Sequence, residues 1–168
     1  MKTKMTEYSV ADALDNGVND LESLKDELQD WLDNMPENFQ SGEKAGQLQE
    51  AIDQLDSACA VTIPEGLDGT TDDKDQPTLG GVRFQFPAST KRRMSRADRC
   101  SEATALMRSA LDAVKEELEP MMAALQNLDD LTDEQQAKLD ALETVNDGLG
   151  EIEQAIDDAE AVEFPGMR

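Results

Sequence analysis

The chain has 168 residues, of which 38 are acidic, 15 are basic and none is histidine, so its formal net charge is −23. This length suits one ordinary domain or two small helical units, and with aromatic residues at 4% any core is built mainly from aliphatic side chains. The charge makes bare nucleic acid and anionic membranes poor partners. The lack of histidine excludes histidine acid–base chemistry, and the lack of both histidine and a Cys-x-x-Cys pair excludes the common zinc sites.

The first periodic segment covers about residues 9–34 and predicts a helix that ends before Pro36. Its apolar side chains follow a heptad seam: Leu14, Val18, Leu21, Leu28, Leu32 and Met35. Ser41 is the predicted N-cap of a second helix. The second seam follows the same spacing: Ala45, Leu48, Ile52, Leu55 and Cys59. Because so short a connection separates the two seams, residues 1–63 are predicted to form an antiparallel helical hairpin.

Residues 64–90 interrupt this periodicity with glycine, proline and aspartate, and are predicted to form an acidic, exposed linker. Within it, residues 82–86 alternate apolar and polar side chains, which predicts a short strand with residues 61–63 as one candidate partner. The alternative is an extended arm that lays its phenylalanines onto the helices. Residues 68–79 imitate the first ligand spacing of a calcium loop but lack its glycine and final glutamate, so we predict no metal site and no cofactor.

A third helix is predicted to begin after Ser95, which forms a capping-box pattern with Asp98. Its seam continues past Pro120, so this segment is either one kinked helix or two helices. A second capping-box pattern, Thr132 with Gln135, begins the next helix.

These patterns together predict an all-α protein. It consists either of two antiparallel helical hairpins, at residues 1–63 and 91–168, or of one four-helix bundle or coiled coil, with a short irregular or β element in the linker. The seams fit packing within one chain as well as packing in a homo-oligomer.

The most acidic stretch is residues 128–162, in which Lys138 is the single cation. An apolar seam runs beneath the charge: Leu142, Val145, Leu149, Ile152, Ile156 and Ala159. We therefore predict a rigid helix that displays carboxylates toward a partner. The candidate partner-binding residues are Asp133, Asp140, Glu143, Asp147, Glu151, Asp157 and Asp158.

This acidic face has two interpretations. An acid at about every third helical residue, on two helices side by side, approaches the charge density of B-DNA, which is about one charge per 1.7 Å of axis. The face would then imitate nucleic acid. Alternatively, it is a solvated surface that keeps the protein soluble or adapts it to high salt.

One basic cluster stands out against this charge: Lys91, Arg92, Arg93, Arg96 and Arg99. Such a cluster near a helix start is typical of phosphate or nucleic-acid contacts. Internal neutralisation of the surrounding carboxylates is the alternative, and the overall charge favours it.

The sequence contains no P-loop, nucleophile elbow or acid–base pair that would predict an enzyme. We therefore consider two non-enzymatic functions. In the first, the protein is a non-enzymatic inhibitor whose acidic face occupies the basic nucleic-acid-binding surface of a protein partner. In the second, it is a structural or assembly protein that acts through coiled-coil packing. The anchors would then be Trp31, Phe84, Phe86, Phe164 and Met167.

Three segments resemble small uncharacterised proteins encoded by bacteriophages: WLDNMPE at residues 31–37, SRADRC at residues 95–100 and VEFPGM at residues 162–167. Small acidic phage proteins often block host defence enzymes by imitating DNA. The resemblance therefore implies a protein that acts in the cytoplasm of a host cell.

The remaining signals concern compartment and cysteine chemistry. The first four residues lack the apolar run of a secretory signal, and no apolar stretch approaches the roughly 20 residues of a membrane span, so we expect a cytoplasmic protein. Cys59 and Cys100 lie among small residues and are interpreted as small buried hydrophobes, although spacing alone leaves a disulfide open.

Overall fold

The computed structural model describes residues 4–63, 81–88 and 94–165. Within them the chain is mainly α-helical with a small two-stranded antiparallel sheet, which confirms the predicted helical class. The elements in chain order are β1 (Met5–Ser9), α1 (Val10–Asp33), α2 (Glu37–Gln40), α3 (Glu43–Cys59), β2 (Arg83–Pro87), α4 (Arg96–Gln126) and α5 (Asp133–Glu160).

Hydroxyl side chains cap three of the four long helices. The Ser9 and Ser95 hydroxyls accept hydrogen bonds from the backbone N–H groups three residues later, at 3.2 and 3.1 Å. Thr132 accepts from the Gln135 N–H at 3.2 Å, and the Gln135 side chain accepts from the Thr132 N–H at 3.0 Å. The helix starts predicted at Ser95 and Thr132 are thus confirmed, because each cap satisfies N–H groups that have no partner inside the helix.

The start of α3 differs from the prediction. Ser41 is not its N-cap: Ser41 ends the short helix α2, and Gly42 stands at the N-cap of α3 without a side-chain hydrogen bond. The connection between α1 and α3 contains this extra helical turn, so the second long helix begins two residues later than Ser41.

Helix α4 runs without interruption from Arg96 to Gln126, with Pro120 inside it. The sequence left open whether this segment is one helix or two, and the structure shows one helix. Proline removes the hydrogen bond to the carbonyl of Glu116, one turn earlier. Because Glu116 and Pro120 are both exposed, water can satisfy that carbonyl.

The four long helices pack in a ring in which each contacts two neighbours: α1 contacts α3 and α4, and α5 contacts the same two helices. Neighbours run antiparallel; along the α4–α5 pair, for example, Cys100 lies beside Ala159 and Lys115 beside Glu153. The ring encloses one hydrophobic core to which every long helix contributes. Its largest fully buried side chains are Leu14, Leu21, Leu24, Leu28, Leu48, Leu55, Met107, Leu111, Leu118, Leu149 and Ile152.

The two strands form an antiparallel pair in which Tyr8 lies opposite Phe84 and Thr6 opposite Phe86. These four side chains share one half-buried face of the sheet, as the two-residue period of a strand requires. The Tyr8 and Phe84 rings stack with centroids 6.2 Å apart. The sheet is joined to α1 because the Val10 N–H donates to the Val82 carbonyl at 2.9 Å.

A strand near residues 82–86 was predicted, and the structure has it as Arg83–Pro87. Its partner is different from the one expected: residues 61–63 are not a strand, and Met5–Ser9 takes that place. The rest of the predicted linker and the calcium-like spacing at residues 68–79 lie outside the described residues. The division into domains at residues 1–63, 64–90 and 91–168 stays a prediction.

Candidate functional site

Five of the predicted partner-binding residues share one face of α5. Asp133, Asp140, Asp147, Glu151 and Asp158 lie within about 40° of one another around the axis, because seven residues fall only about 20° short of two helical turns. The first four are exposed, and Asp158 is half-buried. At a rise of 1.5 Å per residue the set spans about 37 Å. We call these five residues the α5 stripe.

Glutamine amides hold two of these carboxylates in place. Gln136 donates to Asp140 at 2.9 Å, and Gln154 donates to Asp158 at 3.0 Å. In both cases the donor stands one turn before the aspartate, the spacing at which helical side chains meet. An amide is neutral, so it orients the carboxylate and leaves its charge in place, whereas a lysine at the same position would cancel it.

The same arrangement recurs outside α5. Gln29 donates to Asp33 in α1 and Gln49 donates to Asp53 in α3, both at 2.9 Å. These glutamines were not among the residues predicted from the sequence. The signal that would have identified them is a glutamine four residues before an aspartate, which recurs in three of the long helices.

Glu143 and Asp157 lie outside the stripe. Glu143 is exposed about 40° to one side of it. Asp157 faces α4, where the Arg108 guanidinium donates to it at 3.1 Å and to Glu160 at 3.0 Å. Hydrogen bonds from Arg108 to Glu160 and Asp157 raise the pKa of the guanidinium. The structure therefore places Asp157 in an internal ion pair, apart from the five carboxylates that α5 displays together.

In the described part of the chain, ion pairs are seen across three of the four grooves between neighbouring helices. Arg108 bridges α4 and α5, and Lys115 of α4 also pairs with Glu153 of α5. Lys25 of α1 donates to Asp56 of α3 at 3.1 Å, which raises the pKa of the Lys25 ammonium. These cations offset acids that adjacent helices would otherwise bring close together.

Helices α1 and α4 are joined by the arginines of the predicted basic cluster. Arg99 Nη1 donates to both carboxylate oxygens of Glu27, at 3.0 and 2.8 Å, and Arg96 Nε lies 3.4 Å from the same carboxylate. Arg96 and Lys44 also lie 5.4 and 5.3 Å from the centroid of the Trp31 ring, within reach of cation–π attraction. Both arginines are thus engaged within the chain, which favours internal neutralisation; residues 91–93 lie outside the described part.

The fourth groove, between α3 and α5, has a different character. Two hollows of about 410 and 230 Å³ lie along it. Among the described residues, their polar lining is made of glutamines, hydroxyls and carboxylates without a basic side chain: Gln47, Glu50, Gln54, Ser57, Thr62, Glu151, Gln154, Asp158 and Glu163. The later part of the α5 stripe borders this groove, so its negative charge extends onto α3. Glu50 and Glu163 were not predicted as site residues, because nothing in their local sequence indicates which helix lies beside them.

The proposed hydrophobic anchors lie mostly against the chain's own core. Trp31, Phe84, Phe86 and Phe164 are all partly buried and pack against it, while Met167 lies outside the described residues. In the part of the chain that is described, the exposed large hydrophobic side chains are Met5, Phe39 and Leu128. They stand on different elements and do not form one patch along a seam.

Both cysteines are free thiols, Cys100 buried and Cys59 half-buried, as expected of small hydrophobic residues. Burial raises the pKa of each thiol to about 11. Across the described ranges, the structure shows no group of three or more acidic or cysteine side chains placed to hold a metal ion. Nor does any helix in those ranges have the length and apolar character needed to cross a membrane.

Comparison of the chain with protein families, curated proteins and solved structures finds no match.

Proposed function

We propose that this protein is a non-enzymatic inhibitor that presents the α5 stripe to the basic nucleic-acid-binding surface of a protein partner. The observation that carries the proposal is the geometry of the stripe: five carboxylates along about 37 Å of one helix, none of them in an ion pair that the structure describes. A partner that binds phosphates with lysine and arginine would meet a straight row of charges of the same sign, about 6 to 11 Å apart along the helix axis.

The charge density of α5 supports this role. Its 28 residues include ten acids and extend for about 42 Å, which amounts to about one carboxylate per 4 Å. One strand of B-DNA carries one phosphate per 3.4 Å of axis. A single helix therefore has fewer negative charges per unit length than one DNA strand, the more so because Arg108 and Lys115 offset three of its acids. Glu50 and Glu163 of the α3–α5 groove add negative charge beside the helix.

Rigidity is the second support. We infer that the four long helices act as one four-helix bundle, because they bury a common core. Charges fixed on such a support need no ordering when a partner binds, so more of the electrostatic attraction appears as affinity and as a fast association rate. An unordered acidic chain of equal charge would lose conformational entropy at the same step.

The resemblance to small acidic phage proteins directs the choice of partner. We propose that the partner is a host DNA- or RNA-binding or defence protein, met in the cytoplasm of the host. Assembly through coiled-coil seams has less support, since most seam residues of the four long helices are buried in the chain's own core, and others, such as Val18, Leu32 and Cys59, are partly buried against it.

The test compares two variants that lose the same charge on different faces. The stripe variant combines Asp133→Asn, Asp140→Asn, Asp147→Asn, Glu151→Gln and Asp158→Asn. The control variant replaces five exposed acids of α1 and α4 that take part in none of the ion pairs above: Asp15→Asn, Asp30→Asn, Asp112→Asn, Glu116→Gln and Glu119→Gln. Because each variant loses five negative charges, any difference between them reflects position and not net charge.

Each tethered variant is then used to capture purified nucleases, repressors and RNA polymerase of the host at about 50 and about 200 mM salt. We expect the wild type and the control variant to retain a partner at low salt, to release it at the higher salt and to lose it to added duplex DNA. The stripe variant should retain little at either salt concentration. Equal capture by both variants would refute the stripe as the binding surface.

A further inference from the structure

A second candidate site lies on the other side of the molecule, between the sheet and helices α1 and α4. A hollow of about 380 Å³ opens there, within the range of about 300–1,000 Å³ that is typical of small-molecule sites. We call it the sheet–helix hollow. Its lining contains no residue of α5, so a ligand bound there would not contact the α5 stripe.

One wall of the hollow is apolar. The sheet contributes Tyr8 and Phe86, and Met94 and Leu106 come from the segment before α4 and from α4 itself. Aromatic faces beside aliphatic and methionine side chains provide a surface for the apolar body of a ligand, and aromatic faces also attract cations.

The opposite wall is acidic. Asp20 of α1 and Glu102 of α4 both line the hollow, and Arg99 lies between the two helices. Although the Asp20 side chain is exposed overall, burial of its carboxyl raises its pKa; Glu102 adds to this shift and Arg99 opposes it. Arg99 acts on Asp20 more strongly than Glu102 does, but its Nη1 already donates to both carboxylate oxygens of Glu27. Among the described lining residues, two carboxylates therefore stand beside one guanidinium that a third acid engages.

From this lining we propose that the sheet–helix hollow binds a small organic cation, an ammonium group attached to an aromatic or aliphatic body. The ammonium would lie between Asp20 and Glu102, where a positive charge relieves the repulsion between the carboxylates, and the body would pack on Tyr8 and Phe86. An anion of similar shape would meet the same two carboxylates and bind poorly.

The test uses phenethylammonium as the probe and methyl NMR of the full-length protein as the readout. The Met94 methyl group reports on the hollow, and Met121 on α4, which is not part of its lining, serves as the internal reference. We expect phenethylammonium to shift the Met94 signal in a saturable titration at 150 mM salt. Neither 3-phenylpropionate nor ethylammonium should do so, since the first lacks the cation and the second lacks the ring.

Variants separate a specific site from general attraction to an acidic protein. Asp20→Asn is expected to weaken the binding of phenethylammonium about tenfold or more, while Asp112→Asn, which removes an exposed charge elsewhere, should change it less than twofold. Glu102→Gln is a second test that does not depend on the folding of the first variant. Equal effects of Asp20→Asn and Asp112→Asn, or no saturable shift of Met94, would overturn the proposal.

Discussion

Gly17 provides a sharp test of how closely α1 and α4 pack. A Cβ atom at this buried position would lie 2.2 Å from Cγ and 2.6 Å from Sδ of Met107, and 3.4 Å from the carbonyl oxygen of Ala103. The first two distances are well inside van der Waals contact, and Met107 is itself fully buried. Gly17→Ala therefore requires the Met107 side chain to move within a filled core.

Two opposing effects determine the size of the change. Overpacking a core costs about 1–3 kcal/mol, whereas replacing glycine by alanine inside a helix contributes about 1 kcal/mol. We expect Gly17→Ala to lower the free energy of unfolding by up to about 2 kcal/mol. Gly46→Ala in α3 and Gly150→Ala in α5 are matched controls, because an added Cβ at either site meets no atom within 4 Å. Each should raise the free energy of unfolding by about 0.5–1 kcal/mol.

Urea denaturation followed by far-ultraviolet circular dichroism measures all three variants under the same conditions. In a Met107→Ala background the clash is absent, so Gly17→Ala should there stabilise the protein as the two controls do. If Gly17→Ala stabilised the wild-type protein as much as Gly46→Ala and Gly150→Ala, the close approach of α1 to α4 would be refuted.

Three further predictions concern the caps, the proline in α4 and the buried thiol. Ser95→Ala and Thr132→Ala should each lower the free energy of unfolding, measured in urea, by about 1 kcal/mol. Ser41→Ala removes no N-cap hydrogen bond and should have little effect. An equal loss of stability at Ser41 would contradict the observed start of α3. Pro120→Ala should raise the melting temperature, because an exposed proline inside a helix costs up to about 3 kcal/mol relative to alanine. A lower melting temperature of this variant would show that the proline is needed in α4. The pKa of Cys100 rises from 9.0 to about 11, so at pH 8 its thiolate fraction is about one hundredth of that of an ordinary thiol. Iodoacetamide should therefore label Cys100 quickly only in denaturant. Fast labelling of the native protein would contradict this expectation.

The helices could be predicted well from the sequence because their signals are local. A heptad seam and a capping residue act over a few neighbouring positions, so the starts after Ser95 and Thr132 agree with the structure. The prediction at Ser41 was wrong, because serine suits the end of a short helix as well as an N-cap. The short helix that Ser41 ends, Glu37–Gln40, has no apolar periodicity by which the sequence could have indicated it.

The sheet could not be predicted in the same way. Strand Arg83–Pro87 shows alternation in its own sequence, but its partner is set by contacts that are distant along the chain. Met5–Ser9 and residues 61–63 are both short segments, and only the position of the helices decides which of them reaches β2. The structure selects Met5–Ser9, because this strand leads directly into α1 and the sheet lies against α4.

The candidate site was partly predictable for a similar reason. Helical periodicity is enough to bring Asp133, Asp140 and Asp147 onto one face. It does not show which acids are neutralised: Asp157 pairs with Arg108 across the α4–α5 groove, and only the packing of those helices reveals it. The sequence therefore located the acidic helix, and the structure separated the displayed carboxylates from those used inside the molecule.

We propose that the position of the α5 stripe, and not the overall charge of the protein, determines binding. The most direct measurement is fluorescence anisotropy of a labelled DNA duplex bound to the captured partner, titrated with wild type, stripe variant and control variant. We expect the wild type and the control variant to displace the duplex at similar concentrations, while the stripe variant should need at least about tenfold more protein. Displacement by the two variants at the same concentration would contradict it.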